Sequence, residues 1–116
     1  MPEKRVIEHN KLVRDKIPDI IRAKGEVAIV RELNEIEIMG ALRTKLAEEA
    51  QELAELGSEP HVRARILEEL GDVREVYLAL LAAYHVSERE IDFVRLRKLK
   101  ERGGFSLRTF LERTES

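Results

Sequence analysis

A chain of 116 residues with a formal net charge of -2, 43% hydrophobic and 38% charged, can build one modest core under a densely charged surface. It carries no bulk charge that would draw it onto a nucleic acid polymer or a membrane. Only 4% of residues are aromatic, too few for a base-stacking surface, and the absence of cysteine excludes disulfides, thiolate metal sites and thiol nucleophiles.

Met1 to Val13 contains no long apolar run of the kind a secretory signal needs. No stretch approaches the ~20 apolar residues of a membrane helix. The expectation is a cytoplasmic protein with a single domain over residues 1–116. Lys11 to Ile17 reads as an extended or irregular arm carrying Lys11, Arg14 and Lys16. Proline suits a first helical turn, so a short helix is expected from about Pro18 to Lys24, stopped by Gly25. The β-branched run 27–33 predicts a strand. Asn34 followed by Glu37 forms a capping-box pattern. Ile38, Leu42, Leu46, Ala50, Leu53 and Leu56 then recur at helical spacing as far as Gly57.

Ser58 and Pro60 open a second long helix, with Val62, Ile66, Leu70, Val73, Tyr77, Leu80, Leu81 and Tyr84 on its apolar face. Two such helices with a short connection predict an antiparallel hairpin. Ser87 and Glu90 form a second capping box, opening a third helix from about Glu88 to Arg102 that ends at Gly103-Gly104. The tail alternates partly, so residues 105–112 are expected to pair with 27–33 as a small two-stranded β element. The fold class predicted is mainly α, a hairpin plus a third long helix in a bundle completed by oligomerisation.

The chemistry lies in carboxylates at helical spacing. The first helix carries Glu48, Glu49 and Glu52, and the second carries Glu69 and Asp72. Residues three or four apart share a helix face. Glu49 falls in the series Leu42, Leu46, Glu49, Leu53, Leu56, and Glu69 falls in Val62, Ile66, Glu69, Val73, Val76. Both acids thus interrupt stripes that face the other helix. They stand at similar distances from the turn near residue 59, so the hairpin brings them to one level. Carboxylates gathered there repel and lose hydration, a cost of several kcal/mol each unless neutralised. An all-oxygen set favours Mg²⁺, Mn²⁺ or Ca²⁺ over zinc. Glu55, Glu59, Glu68, Glu75 and Glu88 read as solvated surface.

The pattern Glu48-Glu49-x-x-Glu52, a spacer, then Glu69-x-x-Asp72 resembles the motif of the all-α nucleoside triphosphate pyrophosphohydrolase superfamily. That superfamily includes the MazG proteins, the phosphoribosyl-ATP pyrophosphohydrolases and the dimeric dUTPases. The segments Asn10-Lys11-Leu12-Val13-Arg14-Asp15-Lys16-Ile17-Pro18 and Arg102-Gly103-Gly104-Phe105 resemble the two ends of a MazG-like branch of small single-domain proteins. The likeness covers nearly the whole chain. It implies a Mg²⁺ site, with Mn²⁺ as a substitute, made from Glu49, Glu52, Glu69 and Asp72. Glu48 is implied as a further ligand or as the base. It also implies water attack near the α-phosphorus with release of pyrophosphate, and a homodimer or homotetramer.

A triphosphate also needs cationic side chains. Lys98 and Arg102, one turn apart beside Gly103-Gly104, are the first candidates for phosphate contact. Arg14 and Lys16 are the second, though they read equally well as surface charges. Lys45, one turn before Glu49, reads as its i,i+4 partner. His9, His61 and His85 show no metal-binding spacing, and no Walker-type phosphate loop is present. The leading expectation is an enzyme that clears non-canonical nucleotides. The alternatives are phosphoribosyl-ATP hydrolysis in histidine biosynthesis and, from another class, a non-catalytic helical interaction module.

Overall fold

The structure is a computed structural model and describes residues 5–116. Among them it is mainly helical, at 60%, with four α-helices and no strand. The chain divides into two compact units, one ending at Tyr84 and the other running from His85 to Ser116.

The first unit begins with the irregular arm and α1 (Ile17–Ala23), which has proline in its first turn and no side-chain cap. Gly25 follows at φ 85, a left-handed conformation suited to glycine at a helix exit. Next comes α2 (Glu35–Ala54). Its start is fixed reciprocally: the Glu37 N–H donates to Asn34 Oδ1 at 2.8 Å, and the Asn34 N–H donates to Glu37 Oε1 at 3.2 Å. Arg31 clamps the same carboxylate at 2.9 Å. The helix ends at Ala54 rather than at Gly57, because its last turn tightens. The Leu56 N–H bonds Leu53 O at 3.3 Å, a three-residue step that takes the chain out of the α register.

A 3₁₀ turn at Pro60–Val62 leads into α3 (Arg63–Tyr84), which packs against α2 as the expected hairpin. Leu42 and Val76 are its buried apolar residues, and Leu46, Leu53, Ile66, Val73 and Leu80 are half-buried around them. The stripe on α2 runs through Glu49, not Ala50, which is exposed. Leu70 and Tyr84, expected on the apolar face of the second helix, are 48% and 40% exposed. The packed line there is Ile66, Glu69, Val73, Val76 and Leu80.

The predicted strand over 27–33 does not form. Val27 and Ile29 are almost fully exposed, and β-branched side chains alone do not hold a strand without a ladder partner. The expected partner, 105–112, is also irregular: Arg108 takes φ 55, and its N–H bonds Phe105 O at 3.1 Å, a turn that breaks an extended run.

In the second unit, α4 (Glu88–Arg102) has the predicted bounds. Ser87 Oγ accepts from the Glu90 N–H at 3.1 Å, and Glu90 Oε2 accepts from the Ser87 N–H at 2.8 Å. Gly103 at φ 81 ends the helix. Among the described residues no helix is long and apolar enough to cross a membrane.

Candidate metal centre

The hairpin carries an acidic residue at the level where each stripe should be leucine or valine. Glu49 is 8% exposed, the buried charged residue of α2. Glu69 and Asp72 on α3 are half-buried. One carboxylate oxygen from each of Glu49, Glu69 and Asp72 lies within 4.8 Å of the others. The two helices therefore do converge these acids, as their offsets from the turn predict.

Glu52 is exposed and lies outside that tightest group. It still borders it, since its charge acts on both Glu49 and Glu69. Glu48 is half-buried beside Lys45, whose Nζ stands 3.6 Å from Glu48 Oε2 and 3.7 Å from Glu49 Oε1. Lys45 is thus the one-turn partner of Glu49 that its spacing predicts.

Electrostatics match the crowding. Burial pushes the Glu49 carboxyl above the ordinary range, and Glu52 and Asp72 push it further, with Lys45 opposing them. Glu69 is raised in the same direction, again first by burial and then by Glu52, Asp72 and Glu49. Two oxygens, Glu49 Oε2 and Glu69 Oε2, are shielded from solvent and have no hydrogen-bond partner. Buried acceptors are normally satisfied, so these two are the places where a cation would repay the desolvation. An oxygen-only trio on rigid helices, with orphaned oxygens, fits Mg²⁺ or Mn²⁺ chemistry.

One contact was not legible in the sequence. Arg14 Nη2 donates to Asp72 Oδ1 at 2.7 Å, across 58 residues of chain. Periodicity cannot show where an irregular arm lands, so no signal in the sequence pointed to this pair. The arm also meets α2: Asn10, Lys11 and Leu12 line a cleft of roughly 180 Å³ with Ala41, Thr44, Lys45 and Glu48. Asn10 sits there at φ 45, a left-handed conformation uncommon outside glycine. Lys16 precedes α1 and is exposed, with no ion pair among the described residues. Lys98 and Arg102 lie exposed on α4, in the second unit.

No family model matches the chain, and no solved structure matches it. An uncharacterised protein of Mycolicibacterium smegmatis is similar over 42 residues at 50% identity. That stretch is 36% of this chain and 43% of the relative, so the likeness spans less than half the length of either protein.

Proposed function

We propose that this protein is a Mg²⁺-dependent nucleoside triphosphate pyrophosphohydrolase of the MazG-like kind, releasing a nucleoside monophosphate and pyrophosphate from non-canonical nucleotides. The observation that carries the proposal is the buried Glu49, with an unpartnered oxygen, in a trio of carboxylates within 4.8 Å. Glu49, Glu69 and Asp72 would hold the ion, with Glu52 closing the set from the exposed side. A bound Mg²⁺ supplies positive charge at the phosphates and acidifies a water nucleophile. Glu48 borders the cleft and stands outside the trio, which suits it to take the water's proton. Lys45 holds Glu48 and Glu49 in place. Arg14 and Lys16 are assigned to the substrate phosphates. From the sequence Lys98 and Arg102 are assigned there too, and alanine at either should raise KM or lower kcat at least tenfold, about 1.4 kcal/mol.

The test is pyrophosphate release from a panel of canonical, deoxy, oxidised and phosphoribosyl nucleotides, with Mg²⁺ and with EDTA. Metal-dependent release from a modified nucleotide is expected, and Glu49→Gln should abolish it. Release from the phosphoribosyl nucleotide alone would move the protein to histidine biosynthesis. No release from any substrate would leave a helical interaction module.

A further inference from the structure

We infer that Arg14 is a resident counter-cation of the acidic centre, which a divalent ion must displace from Asp72 and which is thereby freed for the substrate's phosphate. The inference rests on the metal-centre reading above and assigns a positioning role that this reading does not contain. Two cations touch the cluster, and they differ in kind. Lys45 is 20% exposed, sits on the same helix as its partners and is fixed by i,i+3 and i,i+4 geometry. Arg14 comes from an irregular arm, is 58% exposed and meets an Asp72 that is 40% exposed.

An ion pair so open to water is weak and exchanges readily. Asp72 is also the acid of the trio with a cationic partner at hydrogen-bond distance, whereas Glu49 Oε2 and Glu69 Oε2 have none. The guanidinium therefore engages a carboxylate of the trio that is still 40% open to solvent. A cation held by the trio would draw on the same Asp72 carboxylate, and its two charges would repel the guanidinium beside it. The backbone at Arg14 is held independently of the ion pair: the Ile17 N–H donates to Arg14 O at 3.0 Å, so the side chain can leave Asp72 without the arm unfolding. A released guanidinium has the planar fork suited to a phosphate. Metal binding and phosphate recognition are coupled through one side chain in this way.

The experiment is calorimetric titration of the nucleotide-free protein with MgCl₂. Arg14→Ala should bind Mg²⁺ about two- to fivefold tighter than wild type, the range an exposed ion pair supports. Arg22→Ala, which removes an equal charge whose contacts are to Asp19 and the Ala28 carbonyl, should leave the affinity unchanged. The KM for the nucleotide should rise in Arg14→Ala alone. Unchanged or weaker Mg²⁺ binding in a folded Arg14→Ala would overturn the inference while leaving the metal centre standing. A wild type that binds no Mg²⁺ would overturn both. Should Arg14→Ala not fold, the wild type decides: the Arg14 side-chain N–H resonance, assigned by its loss in Arg14→Lys, must leave its ion-paired position on Mg²⁺ saturation. A resonance that stays there contradicts the exchange.

Discussion

Glu49 takes a position that its neighbours one and two turns away fill with leucine. A carboxylate there costs hydration and meets Glu52, Glu69 and Asp72 as like charges. Removing its charge should therefore relieve the metal-free protein. Glu49→Gln and Glu69→Gln are expected to melt in EDTA at or above the wild-type temperature at neutral pH. A carboxylate serving only a structural salt bridge would give the opposite result, a clear loss of Tm. The same acids set a pH dependence. Their pKa values are raised in the folded state, so the native protein keeps protons that the unfolded chain has already released. Stability in EDTA should fall as pH rises from the ordinary carboxylate range through the raised values, and no penalty should remain below both. Melting temperatures over a pH series in EDTA check this. The fall should shrink in the Glu49→Gln, Glu69→Gln double variant.

The helices were legible because their signals are local. Capping boxes at Asn34 and Ser87, proline in the first turn of α1 and glycine after α4 each act within one turn of chain. Asn34→Ala should cost about 1 kcal/mol, read as a lower urea midpoint with an unchanged slope. Leu42→Ala, in the small apolar core of the hairpin, should cost more, about 2–3 kcal/mol. The site was half legible for the same reason. Glu49 and Glu69 were found from their interruption of two stripes, Asp72 from sharing a face with Glu69 one turn earlier, and Lys45 from its spacing. Arg14 on Asp72 and the cleft formed by Asn10, Lys11 and Thr44 depend on how an irregular arm crosses two helices, which no periodicity encodes. The failed β-pair shows the converse. The composition of 27–33 favours a strand, but a ladder needs a partner, and the turn at Arg108 removes the one expected.

On the scale of the whole molecule, few apolar side chains are buried among the described residues. Ile36 and Leu67 on the hairpin, and Phe93, Leu96 and Leu99 on α4, are all mostly or half exposed. Apolar surface of this extent favours association. Light scattering at micromolar concentration should give at least twice 13.4 kDa, and an active monomer would contradict this. The central claim concerns the cation, and thermal melting tests it most directly. An ion that binds only the folded cluster stabilises it by mass action, about 2.7 kcal/mol at a hundredfold excess over its dissociation constant. Wild type should melt higher in Mg²⁺ than in EDTA, and Glu49→Gln and Asp72→Asn should each lose most of that increase. A wild-type melting temperature that Mg²⁺ leaves unchanged, or an increase that survives in both variants, would contradict the metal centre.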